Sequence, residues 1–211
     1  MTGNRDWLVT GYYFNHFSWT APLAINVDDL TNNHANTHIP EIIGDARGYE
    51  LTGNQTQHDI ASNFFSILST TRDWATGGSN SGEMWGEPHR LGDGLNADTE
   101  ESCTTYNILK VARHLYSWNA DPQFADFYER ALFNGLIGNQ NQLDPYTPSS
   151  HDTGFIYMLP LGGGGITKPW GSGINGGFPC CWGTLSESEL GCWRVGIIYY
   201  IVEISRWIDA F

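Results

Sequence analysis

The sequence has few basic residues and a clear excess of acidic ones. It holds 10 lysines and arginines against 23 aspartates and glutamates, which gives a formal net charge of −13. A chain with so few cations offers no basic surface for phosphate groups or for an anionic bilayer, which argues against nucleic acid and membrane surfaces as partners. It also lacks an apolar run long enough to span a membrane. The charge balance favours a neutral substrate.

Cysteine is scarce as well. The 211 residues contain four cysteines, too few for a domain that relies on a disulfide scaffold. The first residues are polar and do not resemble a signal peptide. One glycosylation sequon begins at Asn54, but such triplets also arise by chance. The sequence therefore leaves the cellular compartment open.

Apolar residues make up 40% of the chain and recur at helical spacing in four stretches, which predicts two helical hairpins in one globular domain. We expect Pro40 in the first turn of the first helix and Gly53 at its left-handed end. Asp121 and Pro122 are the expected cap and first residue of the fourth helix. The four apolar stripes are Ile42, Ile43, Ala46 and Tyr49; Ile60, Ala61, Phe64, Phe65 and Leu68; Ile108, Val111, Ala112 and Leu115; and Phe124, Phe127, Tyr128, Ala131, Leu132 and Leu136.

Two long glycine-rich connections, at 71–98 and 138–177, accompany these hairpins. Connections of this length inside a compact domain are usually functional. The predicted fold is therefore mainly α, with paired helices in the manner of an α/α toroid and the chemistry on the long loops. The aromatic segment from Asp6 to Trp19 is expected to end a buried helix, and 195–202 is expected to form a strand or a short buried helix.

Each long connection leads to a cysteine element. Cys103 follows Glu101 after the first, and Cys180 and Cys181 are adjacent after the second. Adjacent cysteines rarely bridge to each other, whereas three thiolates and a carboxylate make a four-ligand shell for Zn²⁺. We hypothesise a zinc site at these four residues. Two alternatives stay open: inert buried thiols that fill the core, and a disulfide from Cys103 to the pair.

Glu83, on the first glycine-rich connection, is the candidate general acid. Its neighbours are Met84 and Trp85, and a carboxyl group shielded from water keeps its proton more readily. A solvated loop glutamate is the alternative interpretation, and Glu87 and Glu100 compete for the same role.

His34 and the loop tryptophans are candidate sugar contacts. His34 stands just before a helix, where it is expected either to bond a sugar hydroxyl or to cap backbone groups. Tryptophans in loops either stack on sugar rings or pack in the core. Those concerned are Trp74, Trp85, Trp170 and Trp182.

Five motifs occur in the order typical of one enzyme family. They are His-Ala-Asn-Thr-His-Ile-Pro at 34–40, the glycine-rich segment at 76–83, Glu-Ser-Cys-Thr-Thr-Tyr-Asn at 101–107, the segment at 125–134, and Cys-Cys-Trp-Gly-Thr at 180–184. Together they resemble the catalytic domain of the β-L-arabinofuranosidases, glycoside hydrolase family 127, over about residues 20–188. The resemblance implies an (α/α)6 barrel followed by β-sandwich domains, and hydrolysis with retention of anomeric configuration.

The resemblance also implies roles for six of the candidate residues. Cys180 corresponds to a zinc-bound nucleophile, Glu83 to the acid/base and His34 to a sugar contact. The metal ligands correspond to Glu101, Cys103, Cys180 and Cys181.

The chain departs from the family pattern in its extent. It supplies fewer helices than the twelve of an (α/α)6 barrel, and 189–211 diverges, so we expect 1–211 to be a single incomplete catalytic domain. Hairpins without neighbours expose apolar faces, so the isolated chain is expected to aggregate.

Three functions follow from these observations. The leading hypothesis is a zinc-dependent retaining glycosidase that acts on β-L-arabinofuranosides. The alternatives are an inactive relic that keeps a structural zinc site and carbohydrate binding, and a secreted disulfide scaffold.

Overall fold

Two helical hairpins form most of the structure, a computed structural model that describes residues 4–139, 156–164, 166, 180, 181, 183–185 and 187. The predicted mainly helical fold is confirmed, and the described residues form isolated β-bridges but no extended strand. None of the described helices is both long and apolar enough to cross a bilayer. The predicted element at 195–202 and the divergent tail lie outside the described residues. The helices are α1 (Arg5–Tyr12), α2 (Phe17–Ala24), α3 (Ala35–Thr52), α4 (Gln55–Thr71), α5 (Ser102–Asn119) and α6 (Pro122–Ala131).

The first hairpin, α3 and α4, is defined by local caps. Gly53 ends α3 at φ 72°, in the left-handed region, which confirms the predicted stop. The Asn54 side chain accepts a hydrogen bond from the Thr56 N–H and starts α4. The expected position of Pro40 is wrong, because the helix begins at Ala35 and Pro40 lies inside it. His34 is the cap of this helix, one of the two roles expected for it: its Nδ1 atom accepts from the Thr37 N–H at 3.3 Å.

The second hairpin, α5 and α6, follows the same logic. Ala120 ends α5 in a left-handed conformation at φ 52°, and the Asp121 side chain caps α6 by accepting from the Gln123 N–H at 3.0 Å. Pro122 occupies the first turn, as predicted. After α6 the chain continues through a π turn, Leu132–Leu136, and a 3-10 turn, Ile137–Asn139.

The core lies between the hairpins, because α3 packs on both α4 and α5, and α5 packs on α6. Phe65 of α4 makes edge-on ring contacts with Phe124 and Phe127 of α6, at centroid distances of 5.1 and 5.0 Å. The predicted apolar stripes supply most of this core. Its fully buried members include Ile39, Ile42, Ala46, Ala61, Phe64, Leu68, Ile108, Val111 and Leu136.

The N-terminal aromatic segment differs from the prediction. No residue of α1 is buried, and Tyr13 and Phe14 are 84% and 82% exposed. Only Trp19, on α2, packs into the core. A segment rich in aromatic residues needs a packing partner, and no helix among the described residues covers the aromatic side chains of α1.

The first long loop is ordered around buried polar and aromatic side chains. Arg72 is 2% exposed, forms an ion pair with Asp28 and donates to the Gly86 carbonyl at 3.1 Å. The Trp74 and Trp85 indoles are buried and donate to the Asn80 carbonyl and the Ser79 hydroxyl at 3.2 and 3.0 Å. These two tryptophans therefore pack and offer no face to a sugar, whereas Trp170 and Trp182 lie outside the described residues.

Asp45, on the buried side of α3, makes stability depend on pH. Burial raises its pKa to about 6 from a usual 3.8, although Gln57 donates a hydrogen bond to it at 3.1 Å. Because the folded state binds this proton more tightly than the unfolded chain, the associated stability is complete below about pH 4 and is lost as pH rises through about 6.

We expect Asp45→Asn to remove this loss. The variant should be more stable than the parent at pH 7–8, by on the order of 2–3 kcal/mol, with the difference vanishing below about pH 4. Urea unfolding across this pH range measures it. Asp59→Asn is the matched control of opposite sign, because hydrogen bonds from His58 and Gln55 lower the pKa of Asp59. A difference for Asp45→Asn that does not change with pH would refute this account.

Candidate functional site

The site forms where the first long loop, the N-termini of α3 and α5, and the Cys180–Cys181 segment meet. Isolated β-bridges hold these pieces together, pairing His34 with Met84 and Glu101 with Met158. The backbone between Cys180 and Glu187 is helical at every position that the structure describes. Elements that are distant in sequence are thus fixed around one point.

The structure brings the four expected metal ligands together. One ligand atom from each of Glu101, Cys103, Cys180 and Cys181 lies within 4.8 Å of all the others. The Cys103 and Cys181 sulfur atoms are 3.1 Å apart and are not bonded, so the structure contains no disulfide between them. Zinc–sulfur bonds of about 2.3 Å place tetrahedral sulfurs nearly 4 Å apart, so this donor set is of the right size for one zinc ion.

The cluster gathers groups that all become negative when they ionise. Glu101, Cys103 and Cys181 are buried, and no ion pair within the described part of the chain involves any of the four side chains. Burial raises the pKa of the Glu101 carboxyl. Hydrogen bonding between Cys103 and Cys181 lowers the pKa of the Cys103 thiol and raises that of Cys181. The Cys181 thiol therefore resists ionisation, and a bound cation would favour the ionised forms of all these groups.

Two further side chains orient the Glu101 carboxylate. Thr104 donates to Oε2 at 3.0 Å and Asn80 donates to the same oxygen at 3.4 Å. The Asn80 side-chain oxygen also accepts from the Glu101 N–H at 3.1 Å. The other carboxylate oxygen, Oε1, is left to face the Cys181 sulfur at 3.6 Å. These hydrogen bonds fix the orientation of the carboxylate, as they commonly do for side chains that bind metals.

Cys180 differs from its neighbour in being exposed. Its thiol lies at the rim of the cluster, 3.4 Å from the Tyr157 hydroxyl. Burial is the main cause that raises the pKa of Cys180, and the nearby Cys103 adds to it. Among the three clustered sulfurs, Cys180 is therefore the one that a substrate can reach.

Glu83 faces Cys180 across one hydroxyl group. The Tyr157 hydroxyl donates to the Glu83 Oε1 atom while it contacts the Cys180 sulfur. The second Glu83 oxygen lies 3.3 Å from the His34 Nε2 atom. Because His34 Nδ1 accepts a backbone N–H, the neutral ring carries its proton on Nε2 and donates it to Glu83.

The backbone at Glu83 is held in an uncommon conformation. Its φ of 66° lies in the left-handed region, where a residue other than glycine is strained. The Ala35 N–H fixes this turn by donating to the Glu83 carbonyl at 2.9 Å. From this turn the Glu83 carboxylate contacts Tyr157 and His34.

The competing glutamates lie elsewhere. Glu100 is buried, which raises its pKa to about 7, and it accepts from Thr76. Its side chain lies against the backbone at Gly78 and Gly135, where an added Cβ would collide with it. Glu87 is exposed on the loop surface.

Sequence reasoning missed Tyr157, because it lies in an irregular part of the second long connection with no periodicity around it. Its carbonyl accepts from the Ser102 N–H at 3.1 Å, which ties it to the start of α5. Burial and its neighbours Cys180 and Glu83 raise the pKa of Tyr157, so its hydroxyl stays protonated and donates. Only its proximity in the folded chain identifies it.

Solved structures of known proteins share the fold of this chain. A structure of a GH127 β-L-arabinofuranosidase from Geobacillus stearothermophilus T6 matches with a TM-score of 0.58 and 18% identity, over 76% of this chain and 28% of that one. A structure of a GH127 β-arabinofuranosidase matches with a TM-score of 0.64 and 22% identity, over 88% of this chain and 29% of that one. A third structure, described as a glycoside hydrolase, matches with a TM-score of 0.60 and 17% identity, over 80% of this chain and 31% of that one.

These likenesses confirm the helical-hairpin fold, that of a partial helical toroid, and the chain spans less than a third of each of these structures. Curated protein sequences give no match. The sequence model described as "Beta-L-arabinofuranosidase, GH127 catalytic domain" matches residues 1–190. The chain therefore belongs to glycoside hydrolase family 127.

Proposed function

We propose that this chain carries the catalytic centre of a retaining glycosidase that releases L-arabinofuranose from β-L-arabinofuranosides. The observation that supports it most directly is the arrangement around Tyr157, whose single hydroxyl separates an exposed thiol, Cys180, from a carboxyl group, Glu83. A retaining mechanism needs a nucleophile and a proton donor about 5 Å apart on opposite sides of the anomeric carbon. Membership of the β-L-arabinofuranosidase family supports the choice of substrate class.

The proposed reaction has two balanced steps. In the first, the Cys180 thiolate attacks the anomeric carbon, the bond to the glycosidic oxygen breaks, and Glu83 gives its proton to the departing alcohol. In the second, Glu83 as a carboxylate takes a proton from water, which attacks the same carbon, and the carbon–sulfur bond breaks to return the thiolate. Two inversions give net retention.

The residues present fit a zinc ion as the partner of this chemistry. Three sulfurs and one oxygen within 4.8 Å, three of the residues buried, form a donor set that zinc prefers. Glu101, Cys103, Cys180 and Cys181 would hold it. When bound, it would keep these thiols ionised at neutral pH and make the Cys180 sulfur a better leaving group.

The surrounding residues position the sugar and the proton. His34 is half exposed, and we propose that it bonds a sugar hydroxyl as well as Glu83. Tyr157 holds Glu83 from the other side and keeps the thiol and the carboxyl group in register. A neutral carbohydrate also agrees with the net charge of −13, which does not favour an anionic ligand.

Replacing Cys180 tests the nucleophile. We expect Cys180→Gly to lower arabinose release from an aryl β-L-arabinofuranoside by about 10³-fold or more, because the first step loses its attacking atom. Added azide should restore turnover and give the glycosyl azide of inverted configuration, observed by NMR. Thr184→Val, which removes a hydroxyl 3.0 Å from the Cys103 sulfur, is a neighbouring control that keeps the nucleophile.

A Cys180→Gly variant with parental activity would overturn the nucleophile assignment. If the parent protein binds zinc and arabinosides but does not hydrolyse the arabinosides, the alternative of carbohydrate binding with a structural zinc site is correct instead.

Replacing Glu83 tests the acid/base. Glu83→Gln should slow the hydrolysis of an alkyl arabinofuranoside by about 10²–10⁴-fold. The first step with an aryl arabinofuranoside should be slowed far less, because a good leaving group departs without a proton. Steady-state and burst kinetics on both substrates measure this. Glu87→Gln, on the exposed part of the same loop, is the matched control. An equal loss on both substrates would remove Glu83 from this role.

A further inference from the structure

A second cluster of metal-binding side chains lies at the start of α2 and the first half of α3. One ligand atom from each of His16, His38 and Glu41 lies within 4.8 Å of the others. His16 is the residue before α2, and its carbonyl accepts from the Trp19 and Thr20 N–H groups at 2.9 and 3.1 Å. His38 and Glu41 are one turn apart on α3, so they lie on one side of that helix.

The tautomer of His38 is the one that a metal ligand requires. Its Nδ1 atom lies 2.8 Å from the His34 carbonyl oxygen, which only accepts, so Nδ1 must carry the proton. The Nε2 atom then has a free lone pair. Metal-binding histidines commonly donate their other N–H to a carbonyl in this way, which fixes the ring orientation. The Trp19 ring packs against His38 at 4.7 Å and restricts it further.

Glu41 supplies an oxygen that is buried and unsatisfied. Its Oε2 atom has no hydrogen-bond partner among the described residues, and the His16 Nδ1 atom lies 3.6 Å from it. A buried carboxylate oxygen without a donor is costly. The His16 ring, which is largely exposed, lies nearly parallel to that of His38 with centroids 6.4 Å apart. A small cation between these groups would satisfy all three.

We propose that His16, His38 and Glu41 form a second metal site, for a divalent transition metal such as Zn²⁺. Two imidazoles and a carboxylate are a common three-ligand set for zinc and leave a coordination position open to solvent. The site is chemically distinct from the cysteine cluster, because it offers nitrogen and oxygen instead of sulfur. A bound ion would join the start of α2 to α3, close to the helix cap formed by His34.

Cobalt titration of the native protein tests this proposal. With the cysteine cluster first filled with one equivalent of Zn²⁺, added Co²⁺ should bind as one further equivalent and give visible d–d bands without a sulfur-to-cobalt charge-transfer band. His16→Gln and Glu41→Gln should each weaken this binding by at least about tenfold. Because the His16 side chain is 54% exposed, its replacement leaves the core intact, which circular dichroism checks.

His58→Gln is the matched control. His58 also pairs with a carboxylate, its Nδ1 lying 3.0 Å from Asp59 Oδ1, but it belongs to no three-ligand cluster in the described part of the chain. It should bind Co²⁺ as the parent does. If the parent takes up no second equivalent, or if His16→Gln, Glu41→Gln and His58→Gln bind it equally well, the proposal is wrong. Neither result would affect the function proposed for Cys180.

Discussion

The burial of several acidic side chains next to one another is the constraint on which the rest of the structure depends. Glu101, Cys103 and Cys181 lie together with almost no access to water, and each becomes negative when it loses its proton. Two features make this tolerable. Cys103 lies in the first turn of the 18-residue helix α5, where the helix dipole favours negative charge. Asn80 and Thr104 donate hydrogen bonds to Glu101. A bound cation would neutralise the remainder.

The reactive groups lie around the rim of this buried cluster and are linked by shared hydrogen bonds. Tyr157 contacts both Glu83 and Cys180, and its carbonyl is bound by the N–H that begins α5. His34 uses one ring nitrogen to cap α3 and the other to contact Glu83. The strained backbone of Glu83 is held by the first N–H of α3. The N-terminal ends of α3 and α5 thus position Glu83, His34 and Tyr157.

The sequence predicted those features that depend on local chemistry. Gly53 and the Asp121–Pro122 pair act through their own backbone preferences, so they could be placed correctly without the fold. Apolar spacing likewise identified the helix faces that form the core. The sequence also allowed the four candidate metal ligands to be grouped: Glu101, Cys103 and the adjacent cysteines. Few residue types bind metals, and the family motifs that contain these residues occur in the expected order.

Other features were missed, and most of them depend on contacts between distant segments. Pro40 lies inside α3 because His34 caps the helix five residues earlier than the proline suggested. The aromatic residues of α1 are exposed. Their apolar character predicts that they pack against a partner but does not identify that partner. Tyr157 has no local signature at all and becomes recognisable only beside Cys180.

The most direct test of the account is zinc X-ray absorption on the native protein loaded with one equivalent of metal. We expect a first shell of three sulfur atoms at about 2.3 Å and one lighter atom at about 2.0–2.2 Å. Cys103→Ser should lower the sulfur count by one. A shell made only of nitrogen and oxygen, unchanged by that substitution, would contradict the claim that Glu101, Cys103, Cys180 and Cys181 bind a single ion.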